Sequence, residues 1–345
     1  MHCEGYDIRA YCMVVPTAVS TAFNTVPVTK GPVLSGWDTG TINRTSGIPD
    51  AVVTSIVNNT IMSNDMKIRL LRLLIAIEET INQDSLVHQA NVQAKRVFLA
   101  PEFYFRPPKD MLTDGGEYTW EQFLELKKAL GDYITGLKTS SRISGDWLFL
   151  CGTCVVDSAT HFWNSKRIKN IMLAYLVTPQ GVTVQPVRKL CTSDIDGIPT
   201  GVDFNRVHNK LVINSPGEVR NHFFSGFDLF VEICLESHLS LMAQHFNTAP
   251  VKVHVICAAG LPADSSKTFP SSQAVFIRND GMLQSPDKMV TFFSDETSKG
   301  VYPNQQQNFD HQWNCTDLRQ MASRRNLIIA NARYLQLVPV IQKAI

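Results

Sequence analysis

Residues 170–189, N-I-M-L-A-Y-L-V-T-P-Q-G-V-T-V-Q-P-V-R-K, read as two strands around a tight turn that deliver a lysine, Lys189, at their end. Asn170 to Thr178 is apolar nearly throughout, which suits a strand covered on both faces. Pro179-Gln180-Gly181 punctuates the run, the glycine supplying backbone angles that a hairpin needs. Val182 to Val187 then returns as the second strand.

Strands and helices alternate on either side of this hairpin. Upstream, Trp147 to Val156 reads as a strand, Arg96 to Ala100 as a short buried one ending at Pro101-Glu102, and Arg9 to Val15 as the first. Between them, Met66, Leu70, Leu73, Leu74, Ile77 and Ile81 recur at helical spacing behind the caps Ser63 and Asn64. Thr119-x-x-Gln122 has the form of a capping box opening a helix through Phe123, Leu126, Leu130 and Ile134. Downstream, strands are expected at Phe227 to Ile233, Val251 to Cys257, Ala274 to Arg278 and Leu327 to Ala330. Helices are expected near Ser237 to Phe246 and Thr316 to Arg325. No linker or short repeat divides this βαβα pattern, so residues 1–345 are expected to form a single domain, an α/β sandwich. Two stretches, Arg106 to Tyr118 and Leu190 to Phe224, look irregular for their length and are the expected walls of a pocket.

Composition limits what such a chain can do. With 345 residues and 44% hydrophobic composition it has ample material for a core. Lys plus Arg (32) nearly balances Asp plus Glu (31) and no basic run is present, which argues against nucleic acid as a partner. No apolar stretch has the length of a membrane span, and the start M-H-C-E-G-Y-D lacks the Lys or Arg of a signal peptide, so no membrane association and a cytoplasmic location are expected. The eight cysteines are expected to be reduced, several of them lying inside apolar strand-like runs.

Three reactive residues stand at or just past the ends of strand-like runs, where a parallel sheet delivers side chains to a shared rim: Glu102, Lys189 and Cys234. Singly, each has an ordinary reading, as a surface carboxylate, a solvated lysine and a small core residue. Cys12, Cys151, Cys154 and Cys257 are assigned to the core on that basis. Cys234 differs because L-E-S-H follows it and Ser237 can cap a helix, placing the thiol at a strand-to-helix elbow where turn N–H groups can support a thiolate or an oxyanion. Together the three supply a base, a cation and a nucleophile, the set needed to cleave a carbon–nitrogen bond through a thioester. Cys151-Gly-Thr-Cys154 has redox or zinc spacing but lies mid-strand and lacks a second ligand pair. His208, His222 and His238 raise a Cys–His alternative, with His238 awkwardly placed on a helix beside Cys234.

The ordered set, P-E-F at the Glu, a hairpin and R-K-L at the Lys, and I-C-L-E at the Cys, resembles the nitrilase or carbon–nitrogen hydrolase superfamily. Asp146 to Cys154 and Val251 to Pro262 resemble further family strands, so the likeness spans roughly residues 6 to 260. The resemblance implies a four-layer αββα sandwich, assembled as a homodimer or higher homo-oligomer, with no metal or organic cofactor. It implies that Cys234 attacks the carbon of a small amide, carbamoyl compound or nitrile, and that Glu102 takes and returns protons. Lys189 and the backbone N–H of Leu235 would stabilise the oxyanion. Partial burial would raise the Glu102 pKa toward a value suited to shuttling protons.

Many members of that family carry a second Glu between the Lys and the Cys. Here the first Glu after Lys189 is Glu218, in S-P-G-E-V-R on the approach to the Cys strand. Asp203, in G-V-D-F-N-R, is the expected replacement, with Asp194 and Asp196 behind it. Asp is one methylene shorter, so substrate positioning and the orientation of Lys189 depend on its reach. Glu236, two residues after the Cys, resembles nitrilases more than those amidases that place Asp there. Together with Phe103 from the run Phe103-Tyr104-Phe105, Leu235 and Glu236 complete the expected substrate contacts. Amide or carbamoyl hydrolysis is the leading reaction. Nitrile hydrolysis, acyl transfer to an amine and a silent ligand-binding scaffold are the alternatives.

Overall fold

Between residues 8 and 280, the apolar runs become strands of two mixed β-sheets in the computed structural model. It describes residues 8–14, 17–20, 25–27, 47–87, 95–107, 117–157, 168–191, 211–245, 251–261, 275–281, 290–293 and 333–337. In chain order the strands are β1 (Ile8–Val14), β2 (Ala18–Ser20), β3 (Thr25–Pro27), β4 (Lys95–Leu99), β5 (Tyr118–Thr119), β6 (Trp147–Asp157), β7 (Ile168–Thr178), β8 (Gly181–Val184) and β9 (Val187–Arg188). They continue as β10 (Phe223–Phe224), β11 (Leu229–Ile233), β12 (Val253–Ala258), β13 (Val275–Asp280), β14 (Val290–Phe293) and β15 (Arg333–Leu337). The first sheet has the order β15-β1-β4-β6-β7-β8, with β5 and β9 as extra partners of β6 and β7; the second is β10-β11-β12-β13-β14. The pairs β1–β4, β4–β6, β11–β12 and β12–β13 are parallel. A separate small hairpin joins β2 to β3.

Side-chain alternation divides the core into layers. In the first sheet Ala10, Cys12, Val97, Leu99, Leu148, Leu150, Met172 and Ala174 point one way and meet Leu229, Val231, Ile233, Val253, Val255 and Cys257 of the second. This is the sheet-on-sheet core. The opposite face of the first sheet, with Tyr11, Phe98, Phe149, Leu173 and Tyr175, is covered by helices α1 (Asp50–Asn58), α2 (Asn64–Val87) and α3 (Trp120–Thr139). The outer face of the second carries α4 (Pro216–Arg220), α5 (Leu235–His238) and α6 (Leu241–His245), where Val219, Phe230, Leu241 and Met242 pack together. The result is a four-layer αββα sandwich.

Local signals explain most element ends. All six apolar residues expected on α2 are buried, and Ser63 accepts the Met66 N–H at 3.2 Å. The Thr119 hydroxyl and the Gln122 side chain bond each other's backbone N–H at 3.2 and 3.1 Å, closing the capping box of α3. The hairpin turns where expected, with Thr178 paired to Gly181. Its return strand is split into β8 and β9 because Pro186 has no N–H to give to the ladder.

The outer face of the second sheet departs from expectation. The single helix expected near Ser237 to Phe246 is two short ones, because Ser240 takes a left-handed conformation (φ +56°) that an α-helix cannot continue. Within the stretch read as irregular from Leu190 to Phe224, residues 216–220 are helical and 223–224 form a strand. The segments expected at Thr316 to Arg325 and Leu327 to Ala330 lie outside the described residues, as do 108–116 and 192–210. No described helix is long and apolar enough to cross a membrane.

Candidate active site

Lys189, just past β9, and Glu102, just past β4, form a buried ion pair with Nζ 2.8 Å from Oε1. Their side chains are 1% and 0% exposed, so water screens this pair very little. Asn170 Nδ2 donates to the same Oε1 at 3.0 Å, and the Asn170 carbonyl accepts the Lys189 N–H at 2.9 Å. Asn170 thereby ties both members of the pair to the start of β7. Nothing in the sequence singles it out beyond its being a polar residue near the start of a mostly apolar strand.

The turn that aims Glu102 is fixed by β6. Register shifts between Leu150 and Thr153, a bulge at Gly152 with φ +76°. A Cβ there would lie 2.8 Å from the Pro101 carbonyl oxygen and 2.8 Å from Tyr104 Cβ, so only glycine lets this turn come so close. Beyond the bulge, Thr153 Oγ1 accepts the Phe103 N–H at 2.8 Å and the Thr153 carbonyl accepts the Phe105 N–H at 2.9 Å. Phe103 itself sits at φ +58°. From the other side Thr17 Oγ1 donates to the Glu102 carbonyl at 2.6 Å.

Cys234 follows β11 directly and opens α5. Its backbone, φ +50° and ψ −108°, is unusual for a residue with a side chain, and the position is a strained strand-to-helix elbow. The Cys234 N–H donates to the Cys257 carbonyl at 2.8 Å, while its own carbonyl accepts the Ser237 N–H at 3.0 Å. Its side chain, 6% exposed, packs with Ile256, Ala258 and Phe276. The neighbouring Cys257, its thiol pushed up by burial, donates Sγ–H to the Ala100 carbonyl at 2.8 Å, two residues before Glu102, so one residue bonds to both the Cys234 and the Glu102 segments. Leu235, half-buried, is the first residue of α5.

The other expected contacts divide. Phe103 is buried against Val155 and Ala259, with Lys189 Nζ 5.7 Å and Arg106 Cζ 4.8 Å from its ring centroid. Tyr104 and Phe105 are core residues in edge-to-face contact. Glu236 is wholly buried: Oε1 accepts the Leu190 N–H and Oε2 accepts the Ile233 N–H at 2.7 Å. Burial pushes its carboxyl up to about 8, against those bonds and Lys189, which pull it down. Asp203, Asp194, Asp196 and His208 lie outside the described residues. Glu218 is engaged with Arg188 Nη1 at 3.1 Å and with the Asn214 N–H at 2.6 Å.

His222 does not take the role of base to Cys234. Both its ring nitrogens are occupied by carbonyl oxygens, Nδ1 by Val231 at 2.8 Å and Nε2 by Arg188 at 3.1 Å. His238 is exposed at the end of α5. The Cys151 and Cys154 thiols flank the β6 bulge, wholly buried and pushed up by that burial, as core residues would be. Among the described residues no group of three or more His, Cys, Asp or Glu could hold a metal ion. A cavity of about 380 Å³ between α1 and α3, lined by Val52, Ile56, Ala129 and Tyr133 among others, contains none of the reactive residues.

No family model matches the chain and no curated protein matches its sequence. Among solved structures it is similar to Saccharomyces cerevisiae Nit3, described as a member of branch 10 of the nitrilase superfamily, at 11% identity and a TM-score of 0.37, covering 71% of this chain and 92% of that one. It is similar to a carbon-nitrogen hydrolase from Helicobacter pylori G27 at 12% identity and a TM-score of 0.33, covering 64% of this chain and 74% of that one. It is also similar to an amidase from Nesterenkonia sp. AN1, solved in complex with butyramide, at 8% identity and a TM-score of 0.34, covering 80% of this chain and 76% of that one.

Proposed function

We propose that this protein is a thiol-dependent hydrolase of carbon–nitrogen bonds in small amides or carbamoyl compounds, with Cys234 as nucleophile, Glu102 as proton shuttle and Lys189 as oxyanion stabiliser. The observation that carries this reading is the dry Lys189–Glu102 pair, whose Glu102 segment is linked to a strained cysteine elbow through Cys257, which bonds to the Cys234 N–H and to the Ala100 carbonyl. A purely structural ion pair gains little from burial, whereas a reacting site uses a cation and a carboxylate held without water.

In this mechanism Glu102 accepts the Cys234 thiol proton as sulfur adds to the carbonyl carbon. The oxyanion is met by Lys189 and by the backbone N–H of Leu235. Collapse expels the amine or ammonia, which leaves with the proton from Glu102, and a thioester remains on Cys234. Glu102 then takes a proton from water, whose oxygen attacks the thioester. Acid is released and the proton returns to sulfur. The second carboxylate would come from Asp203.

The test follows ammonia release and intact mass over a panel of amides, N-carbamoyl compounds and nitriles, for the native chain and for Cys234→Ala. Turnover and a transient adduct are expected in the native protein and neither in the variant. Nitrogen release or an adduct that survives Cys234→Ala refutes the nucleophile. A native chain that forms no adduct and releases no nitrogen product across the panel refutes the hydrolase reading.

A further inference from the structure

We propose that His222 and Glu236 are paired positioning residues that fix Lys189 against the strand carrying Cys234, an inference that rests on the hydrolase reading above. The two side chains come from different places, His222 from the residue before β10 and Glu236 from α5, yet they bridge the same two backbone segments. His222 lies between the carbonyls of Arg188 and Val231. Glu236 lies between the N–H groups of Leu190 and Ile233. Lys189 is therefore held by the residue on either side of it, and both holds end on β11, whose last residue precedes Cys234. The Asn170 carbonyl on the Lys189 N–H secures the remaining direction.

Hydrogen-bond chemistry says why these residue types are needed. A neutral imidazole donates from only one nitrogen, so meeting both carbonyls requires the imidazolium. A carboxylate accepts through both oxygens, so it can meet both N–H groups, and its Oε2 lies 3.6 Å from His222 Nδ1. Burial pushes Glu236 up and opposes charge on His222, with Glu232, Glu218 and Lys189 as the charged neighbours. The pair thus holds one proton, drawn toward His222 by its two carbonyl contacts and toward Glu236 by burial. An apolar pair of similar volume would fill the space at no desolvation cost, but it would not fix the register of residues 188–190 on residues 231–233.

The experiment is the pH dependence of Cys234 alkylation by iodoacetamide, read at that residue by peptide mass, on the full chain. Lys189→Met is the reference. It is expected to raise the thiol pKa, and each unit lowers the thiolate, and with it the rate at neutral pH, about tenfold. His222→Gln places its amide nitrogen where Nε2 stood and keeps the bond to Arg188. His222→Asn keeps only the bond to Val231. The expected order of rates is native, then His222→Gln within about twofold, with His222→Asn and Glu236→Gln slower by about threefold or more. If Lys189→Met slows the reaction while Gln and Asn at 222 behave alike, or Glu236→Gln matches the native chain, the positioning inference is wrong and the hydrolase reading stands. If Lys189→Met leaves the rate unchanged, both fall. Should Glu236→Gln fail to fold, the two His222 variants decide.

Discussion

Replacing Lys189 by Met removes the charge but keeps most of the volume, and leaves the Glu102 carboxylate buried beside the Asn170 amide. Breaking a buried ion pair from one side costs about 3–5 kcal/mol, most of it the desolvation of the stranded partner. With a urea m-value of about 3 kcal/mol/M, the unfolding midpoint should fall by about 1–1.7 M. Protonation is the carboxylate's way out, so the loss should shrink as pH is taken from 8 to 5, because the variant binds a proton on folding that the unfolded chain has released. Glu102→Gln with Lys189→Met replaces both charges and should recover most of the stability. Tryptophan fluorescence in urea at both pH values for the native chain, the two single variants and the double variant measures this. A loss under about 1 kcal/mol at pH 8, a loss that does not change with pH, or a double variant no better than the worse single one would refute the buried-pair reasoning.

Three further outcomes follow from the same geometry. Gly152→Ala should lower the thermal midpoint, by about 2 kcal/mol or more in stability, since its Cβ would press on Pro101 and Tyr104 at a positive φ; an unchanged midpoint would mean the Glu102 turn is not so fixed. Asn279 reaches from β13 across the sandwich to the carbonyls of Met13 and Leu99 at 3.1 and 2.9 Å, so Asn279→Ala should cost about 2 kcal/mol in denaturant unfolding, and Asn279→Asp more, because its lone pairs would face those oxygens. Burial holds the Glu236 proton up to about 8, well above the ordinary carboxyl range. Its contribution to stability should therefore be lost as pH rises through that value, a loss that urea unfolding at pH 6 and pH 9 should show for the native chain and not for Glu236→Gln.

The layers were legible because strands repeat every second residue and cover both faces with apolar side chains. The hairpin that ends on Lys189 could be read from nine strand residues and a Pro-Gln-Gly turn, and the elbow at Cys234 from a strand meeting a helix start, although Ser237, the expected cap, lies inside the helix and Cys234 itself takes the cap position. Asn170 could not, since its meaning depends on a carboxylate 68 positions earlier. The same holds for Glu236. The family resemblance suggested a substrate contact, and sequence does not show that a helix of one turn carries the carboxylate onto the N–H groups of Leu190 and Ile233. Ser240, which breaks the following helix, has no local signature because serine takes a left-handed conformation only where tertiary contacts impose it.

What sequence leaves out at such a site is the cost of its geometry and what sustains it. A residue like Cys234 at φ +50° costs on the order of 1–3 kcal/mol and persists only where the surroundings over-determine it. Here the determinants are countable. The Cys257 carbonyl holds the Cys234 N–H, the Ser237 N–H holds its carbonyl, and Glu236 holds the N–H of the residue before it. Two of these three come from within the segment 234–237, and only the bond to Cys257 belongs to the sheet. The elbow's strain is therefore balanced largely by the residues that follow the nucleophile. A change at Glu236 should be felt at the thiol even though its carboxylate bonds to backbone N–H groups on either side of the site.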